Sequence, residues 1–451
     1  MTRSLKYLAN RGKMSRRGFL GRSVAGASLM AGWPGMQVWG SQGASDTGRL
    51  LVTLQLDGGV DVTMFTDPKV NVSNEPKINH WADELEPDQI GGISFAPVAR
   101  NRELFERFGA DLMVVNGVDA QTNSHETGRL FNWTGRNAEG QPSLSALFAA
   151  AESPEQPLAY SVFGGVSRTA GIIGYNRFDD LNVLRRLTQP NVDSWSGETK
   201  RWEADLARSQ QLLEADVSRL LNQPGLSVRE RLSMIQFNEA RERRDSLSRL
   251  AELIPPESEI APREDLNAGG MNFSSNLKQQ MQSALLVFKS GLGSAADLSL
   301  GGFDSHEENE PIQEALLSHI YEALVYFWDY AEELGLADRI FLVMGSDFGR
   351  TNFINEGNGK DHWPIGSYVM MERGALWGDR VIGQTDELHF ARGIDPATLK
   401  VKSNGLIMTP SHIHKAIQEY LGIDGFATDA DFGLGNTESL PLFDPFIGST
   451  T

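Results

Sequence analysis

Residues 50–59 read LLVTLQLDGG, and this stretch decides the fold class. Five of its first seven residues are apolar, and Asp57, Gly58 and Gly59 follow them directly. A short apolar run that ends in turn residues is typical of a strand buried on both faces of a sheet. The stretch therefore predicts a buried strand that ends at Asp57.

Two more apolar runs follow, and each comes after a helical pattern. Residues 111–116 (DLMVVN) follow a predicted helix at 101–108, and residues 339–344 (RIFLVM) follow a long amphipathic pattern at 311–334. Strands that alternate with helices favour a mostly parallel sheet with helices on both faces. We therefore predict an α/β domain over residues 48–445.

The character of the sequence changes between residues 176 and 255. Residues 198–222 and 228–253 are charged, studded with leucine and helix-periodic, and Pro224-Gly225 separates them. This pattern predicts a helical insertion at 176–255 within the α/β domain. A surface decoration or lid without chemistry of its own is the interpretation that the pattern favours.

Composition excludes several classes of function. The chain of 451 residues has no cysteine, so it forms no disulfide, no thiolate zinc site and no cysteine nucleophile. Its formal charge of −18 argues against nucleic acid or anionic lipid as a partner. No run of eighteen apolar residues occurs in the body of the chain, so we expect no permanent membrane span.

The N-terminus carries an export signal. Residues 1–40 contain seven basic residues and no acidic one, and residues 15–20 read SRRGFL, which matches the twin-arginine pattern. Residues 24–40 are mildly apolar and end in VWG, which has small residues where a signal peptidase needs them. Residues 1–40 therefore predict a twin-arginine signal peptide. The translocase would be a partner during export, and the protein would be periplasmic or secreted. The alternative is a basic tail with an accidental Arg-Arg pair.

Acidic residues and histidines collect where the predicted strands end. Because ligands bind at the carboxyl ends of strands in open α/β sheets, we expect these side chains to converge. Crowded carboxylates need a cation, and aspartate with histidine suits zinc, manganese or iron better than calcium. We predict a site for one or two divalent ions, zinc or manganese, with the candidate ligands Asp57, Asp304, His306, Asp347 and His362.

Each motif alone also has a structural explanation. Asp57-Gly58-Gly59 is more often only a turn, and an isolated Asp-x-His pattern such as Asp304 to His306 is a weak signal. The segment around His362 could be a loop anchored by Trp363. The shared position at strand ends is what favours a metal site.

The motifs occur in a specific order, namely LDGG (56–59), NSHE (123–126), GGFDSH (301–306), GSDFGRT (345–351) and KDHWP (360–364). In this order they resemble the bacterial family called the domain of unknown function fifteen hundred and one, in which a twin-arginine leader is common. The resemblance covers nearly the whole mature chain and is weakest over 176–255. Singly, none of the motifs is specific.

This family is grouped with the alkaline phosphatase and sulfatase superfamily. The resemblance implies a doubly wound α/β fold and a two-metal centre where a hydroxyl or modified nucleophile attacks phosphate or sulfate esters. One metal would be held by Asp304, His306 and His362, and the other by Asp57 and Asp347. Ser124 would lie near the position of the nucleophile.

The chain departs from the superfamily at three points. Phe348 stands where relatives have a histidine, so one metal site lacks a ligand unless His125 substitutes. The spacing from acid to histidine in Asp304-x-His306 is shorter than usual. No cysteine and no Ser-x-Pro-x-Arg sequence is present, so formylglycine is not made in the usual way.

Hydroxyl and guanidinium groups complete the candidate site. Ser124 and Thr127 are either an ordinary helix start or metal-activated nucleophiles. Arg350 and Arg129 are candidate clamps for an anionic ester, although surface arginines are usually only solvated. The remaining histidines are interpreted as structural: His80, His319, His389, His412 and His414.

The sequence thus favours an exported, metal-dependent hydrolase of phosphate or sulfate esters. A non-catalytic protein of the same fold, which holds a metal for binding or assembly in the cell envelope, is the alternative. A metal-dependent mutase or transferase is a third interpretation. Whether the chain is an enzyme stays open at this point.

Overall fold

The computed structural model describes residues 48–447, except 179, 190, 194–197, 223–226, 228–229, 231–233, 235–246 and 248. The predicted signal peptide at 1–40 lies outside the described residues, as does most of the second predicted helix at 228–253. The described residues lie in one compact unit.

Fourteen strands lie in the described part of the chain. They are β1 (Leu50–Asp57), β2 (Asp88–Ile90), β3 (Ile93–Phe95), β4 (Leu112–Asp119), β5 (Tyr160–Val162), β6 (Asn176–Arg177), β7 (Glu264–Ala268), β8 (Met271–Ser275), β9 (Ala295–Gly301), β10 (Ile340–Ser346), β11 (Gly349–Arg350), β12 (His362–Trp363), β13 (Ile365–Glu372) and β14 (Arg380–Ile382). Eight of them form one sheet in the order β14-β4-β13-β10-β1-β9-β5-β6, and the other six form three two-stranded pairs.

The described helices have the following bounds. They are α1 (Asn101–Phe108), α2 (His125–Thr134), α3 (Leu144–Glu152), α4 (Leu181–Thr188), α5 (Glu203–Leu221), α6 (Leu277–Lys289), α7 (Asn309–Glu333), α8 (Pro410–Leu421) and α9 (Asp424–Asp429). None of them combines the length and the apolar character that a membrane span requires.

The large sheet is mostly parallel. Strand β1 pairs in parallel with β10 on one side and with β9 on the other, and only β13 runs against its neighbours. Helices cover both faces of this sheet. The predicted α/β, doubly wound, mostly parallel architecture is therefore confirmed.

Alternate residues of the central strands enter two different cores. In β1, Val52 and Leu54 pack with residues of α1, α6 and α7, whereas Leu51 packs with residues of α3 and α8. Strand β10 divides its residues in the same way. Each fully buried aliphatic side chain stabilises the fold by about 1.5–3 kcal/mol, so burial on two faces explains why these strands are nearly continuous apolar runs.

The register of the central strands aligns the ends from which the candidate ligands emerge. Leu56 of β1 lies opposite Leu300 of β9 and opposite Ser346 of β10. Because all three strands point the same way, the residues that follow them share one edge of the sheet. Asp57, Asp304 and Asp347 are thereby brought to a common edge.

The helical segment after β6 is only partly described. Helix α4 packs through Leu181 and Leu184 against the body of the domain. Helix α5 is largely exposed along its length. The boundary of the insertion at 176–255 remains a prediction.

Candidate metal centre

Two loops meet where strands β1 and β9 end. Gly58 has a φ of +118°, a backbone conformation that residues with a side chain rarely adopt. A Cβ atom there would lie 2.4 Å from the backbone nitrogen of Asp304. Glycine at this position therefore allows the loop after β1 to pass directly against the loop that carries Asp304.

Three histidines and one aspartate converge at this edge. The Nε2 atom of His362 lies 3.1 Å from Nε2 of His125, 3.0 Å from Nε2 of His306 and 3.1 Å from Oδ1 of Asp304. The same Oδ1 lies 3.1 Å from Nε2 of His306 and 3.5 Å from Nε2 of His125. We call these four residues the histidine centre.

The other ring nitrogen of each histidine is held by an oxygen that only accepts hydrogen bonds. Nδ1 of His125 donates to the carboxylate of Asp347. Nδ1 of His306 donates to Oδ1 of Asp361 at 2.8 Å, and Nδ1 of His362 donates to the carbonyl of Asn123 at 2.8 Å. A neutral imidazole carries one proton, so each Nε2 presents a lone pair to the centre.

This donor set fits a divalent metal ion. Lone pairs and a carboxylate oxygen that face one another at 3.0–3.5 Å repel unless a cation lies between them. Ligand atoms about 2.0–2.1 Å from a tetrahedral zinc stand roughly 3.3 Å apart, which agrees with these pairwise distances. The donor atoms of His125, Asp304 and His362 all lie within 4.8 Å of one another, and His306 lies beside His362 and Asp304. Histidine nitrogens fixed by carboxylate or carbonyl partners are the usual arrangement around such ions.

The charges around the centre shift several pKa values in the metal-free state. Burial alone would raise the pKa of Asp304, but Arg350, His362 and His125 together lower it to about 2. The hydrogen bond to Asp347 raises the pKa of His125, although burial and Arg350 oppose this. Asp304 is thus a carboxylate at neutral pH, and protons compete with a metal ion for His125.

Asp347 lies behind the histidine centre. Its side chain is fully buried, and Oδ1 accepts hydrogen bonds from the backbone N–H of Gly58 at 3.2 Å and from the hydroxyl of Ser346 at 2.9 Å. Oδ2 accepts from His125. Both oxygens of this carboxylate therefore accept hydrogen bonds from the protein. Asp347 contacts the histidine centre through the hydrogen bond from His125.

Arg350 is buried and holds the surrounding loops. Its guanidinium donates to the carbonyls of Gly58, of Gly59 at 3.1 Å and of Lys360 at 3.0 Å, and also to Oδ1 of Asp304. Its exposed fraction is 0 %. Arg350 therefore contacts the candidate metal ligand Asp304 from the interior of the protein.

Ser124 precedes the first residue of α2. It has the extended backbone of an N-cap, but its hydroxyl makes no capping hydrogen bond, and the residue is exposed. Its neighbour His125 is the first residue of the helix, and Phe348 packs against the rings of His125 and His362 with centroids 4.7 Å apart in both pairs. Phe348 thus contributes an apolar wall beside the histidine centre.

The structure brings together three of the five predicted metal ligands, namely Asp304, His306 and His362. His125, considered in the sequence only as a substitute, lies in the same cluster. Asp361 was missed, although its position beside His362 in a strand-end loop was a signal that could have identified it.

Asp57 lies at the same edge of the sheet, and its charged neighbour is the guanidinium of Arg129. Nε of Arg129 is 3.8 Å from Oδ1 of Asp57. Burial raises the pKa of Asp57, Arg129 lowers it, and the nearby charge of Asp347 raises it, with a net increase. Among the described residues, the group of three potential metal ligands at this edge is His125, Asp304 and His362, so it includes neither Asp57 nor Asp347, and His306 lies beside it.

Comparisons with known proteins give one family and several distant structures. A model of the family described as protein of unknown function (DUF1501) matches residues 49–424. No curated protein matches the chain in sequence.

The similar solved structures include a sulfatase, a synthase and a hydrolase. A sulfatase from the glycosaminoglycan metabolism of Bacteroides thetaiotaomicron is 10 % identical, with a TM-score of 0.39 over 89 % of this chain and 78 % of that one. The lipoteichoic acid synthase LtaP of Listeria monocytogenes is 10 % identical, with a TM-score of 0.33 over 84 % and 73 %. The phosphonate monoester hydrolase of Agrobacterium radiobacter is 10 % identical, with a TM-score of 0.32 over 83 % and 74 %. Likeness at this level carries no functional argument, so the function has to be argued from the histidine centre itself.

Proposed function

The chain belongs to the DUF1501 family, and from its own site we propose that it is a metal-dependent hydrolase of phosphate or sulfate esters that works outside the cytoplasm. The observation that carries this proposal is the histidine centre. The donor atoms of His125, Asp304 and His362 all lie within 4.8 Å of one another, and Nε2 of His306 lies 3.0 Å from Nε2 of His362. Imidazole nitrogens with a carboxylate oxygen suit zinc or manganese. A divalent ion bound there supplies positive charge that polarises the ester and stabilises the charge that develops on its oxygens.

We propose that Asp304, His306, His362 and His125 hold this ion. Residues behind them keep the ligands in place: Asp347 orients His125, and Asp361 orients His306. Arg350 acts as a positioning residue, because its buried guanidinium holds Asp304 and the carbonyls of the loop after β1. Such outer partners typically change metal affinity about 10–100-fold when they are lost.

Ser124 is the nucleophile that we propose. Its hydroxyl is exposed next to His125 and makes no capping hydrogen bond. In the proposed step, Oγ forms a bond to phosphorus or sulfur, and the ester oxygen leaves with the electron pair of the broken bond and takes up the serine proton. Water then attacks the new ester of Ser124, which releases phosphate or sulfate and restores the hydroxyl. Thr127 carries the next hydroxyl along the helix and is the second candidate.

The first experiment measures metal and activity in the same preparations. We expect purified wild-type protein to contain a tightly bound divalent ion, and Asp304→Ala and His362→Ala to lose it. His80→Ala is the matched control, because it removes an exposed histidine that pairs with Glu310 away from the centre. Absence of metal from the wild type, with no thermal shift on addition of zinc or manganese, would contradict the metal centre.

A panel of esters then tests catalysis. We expect slow hydrolysis of phosphomonoesters, phosphodiesters or sulfate esters, stimulated by manganese or zinc and abolished by Ser124→Ala. Retained activity in Ser124→Ala would assign the attack to Thr127 or to water. If folded, metal-loaded wild type hydrolyses no ester in the panel, the chain is a non-catalytic metal-holding protein of the envelope.

Export rests on the N-terminal sequence. We propose that the Arg16-Arg17 pair directs the chain through the twin-arginine translocase, because a receptor reads the pair itself. Arg16→Lys combined with Arg17→Lys preserves the charge, and it should leave full-length precursor in the cytoplasm. Normal amounts of mature protein in the periplasm of the double variant would contradict this proposal.

A further inference from the structure

Arg129 lies between two carboxylates beside the histidine centre. It is on α2, one turn after His125, and its Nε atom is 3.8 Å from Oδ1 of Asp57 and 4.0 Å from Oδ2 of Asp347. Asp57 is the last residue of β1 and Asp347 follows β10, so neither position in the sequence indicates that Arg129 joins them. The buried Nε atom makes no hydrogen bond to any residue that the structure describes.

The two carboxylates need a positive charge. Asp347 is fully buried and Asp57 is about one quarter exposed in its side chain. Like charges in such surroundings disfavour each other's ionised forms unless a cation is close. Arginine remains protonated at all ordinary pH values, so Arg129 supplies this charge permanently.

The same place lacks the ligands for a second metal ion. The oxygens of Asp347 are already occupied by Gly58, Ser346 and His125. Phe348, the next residue, offers a ring without a nitrogen. Of this pair, only Asp57 then has an oxygen available, and one carboxylate supplies too few protein ligands for a zinc or manganese site.

We infer that Arg129 takes the place of a second metal ion, so that the chain binds one divalent ion and provides its second positive charge from this guanidinium. The inference rests on the proposed metal centre. It departs from the two-metal centre that the family resemblance implies. In place of a second ion, Arg129 supplies the positive charge that Asp57 and Asp347 need.

Arg129 also borders an open cleft, which indicates what it would bind. The cleft has a volume of about 300 Å³, and its polar lining consists of Arg129, Ser167, the exposed Arg168 and one acidic residue, Glu126. Guanidinium groups pair with phosphate and sulfate oxygens through charge-assisted hydrogen bonds. Arg129 would therefore contact the anionic group of the ester directly.

Metal stoichiometry tests the inference without relying on activity. Protein saturated with zinc and freed of excess ion is analysed by native mass spectrometry and elemental analysis. We expect one ion per chain in the wild type, one in Asp57→Asn, and none in His306→Ala combined with His362→Ala. Two ions in the wild type, with one lost in Asp57→Asn, would overturn the inference but leave the metal centre intact. No ion in the wild type would instead refute the proposed function.

Binding of inorganic phosphate to the zinc-loaded protein tests the role of the guanidinium. We expect Arg129→Met to weaken phosphate binding by about tenfold or more, as loss of a charge-assisted hydrogen bond does, and Arg129→Lys to weaken it less because the charge remains. Arg102→Met is the matched control, because Arg102 is an exposed arginine of α1 that pairs with Asp88 and Glu106. Calorimetry at constant ionic strength measures the affinities. Wild-type phosphate affinity in folded Arg129→Met would overturn the inference.

Discussion

Replacing Asp347 by asparagine changes one buried group and tests how the histidine centre is held together. The carboxylate accepts from His125 through Oδ2, and from Gly58 and Ser346 through Oδ1. Asparagine has the same shape but only one acceptor oxygen. If that oxygen keeps its partners Gly58 and Ser346, the amide NH2 faces Nδ1 of His125, and the imidazole has to carry its proton on Nε2 instead. A protonated Nε2 cannot bind a metal ion.

The expected magnitude follows from burial. Losing an outer partner of a metal-binding histidine usually costs about 10–100-fold in affinity, or about 1.4–2.8 kcal/mol. Asp347 is 0 % exposed in its side chain, so water has no access to replace it, and we expect an effect near the upper end. Asp361 makes the equivalent contact to His306 but is 61 % exposed, so Asp361→Asn should lie near the lower end.

Competition with a chromophoric zinc chelator at about pH 8, where a histidine with an ordinary pKa is neutral, measures the three affinities. Circular dichroism and thermal melting of the same samples establish that each variant is folded. We expect zinc affinity to decrease in the order wild type, Asp361→Asn, Asp347→Asn. A folded Asp347→Asn protein within about threefold of the wild type, or one that binds zinc more tightly than Asp361→Asn, would refute the orienting role of the buried carboxylate.

Three further predictions concern packing, charge and pH. Gly58→Ala should destabilise the fold by about 1–3 kcal/mol in urea unfolding, because alanine is strained at a φ of +118° and its Cβ would overlap the next loop. Lys360→Met should cost about 3–5 kcal/mol in the same assay, since it leaves the buried Asp61 carboxylate, 2.8 Å from Nζ, without its partner; an unchanged midpoint would contradict this. Zinc affinity should fall as pH is lowered, and the decrease should start at a higher pH than for an ordinary histidine. The reason is that Asp347 raises the pKa of His125, so a proton competes with the metal ion for Nε2 already at that higher pH. An affinity that stays constant from about pH 8 to about pH 6 would contradict this.

The sequence predicted the framework well because the framework depends on local pattern. The apolar runs at 50–56 and 339–344 became β1 and β10, and the helix at 101–108 has those same bounds as α1. Antiparallel β13 was not anticipated, since nothing in its own residues specifies the direction of its neighbours. Helix α8 begins at Pro410, and the capping box that Thr409 and His412 form at this end was not anticipated from the sequence.

The site was harder to predict because its contacts join distant parts of the chain. Asp304, His306 and His362 could be proposed from their places at strand ends, which parallel register brings to one edge. The partnership of His125 with Asp347 could not, because it spans 222 residues and depends on how α2 packs against the end of β10. Likewise, no local pattern distinguishes the buried Arg350 from the partly exposed Arg129.

Glycine links this packing to the chemistry. Gly128 of α2 lies so close to β10 that a Cβ atom would be 2.4 Å from the carbonyl oxygen of Asp347. The close approach sets the distance between the helix and the strand end, and His125 and Arg129 lie three residues before and one residue after this contact. One surface of α2 thus places an imidazole in the histidine centre and a guanidinium between the two carboxylates. Any larger residue at position 128 should displace the His125 imidazole and the Arg129 guanidinium together. Metal affinity and phosphate affinity should therefore fall in parallel in Gly128→Ala. Variants of His125 or of Arg129 alone should instead change the two affinities to different extents.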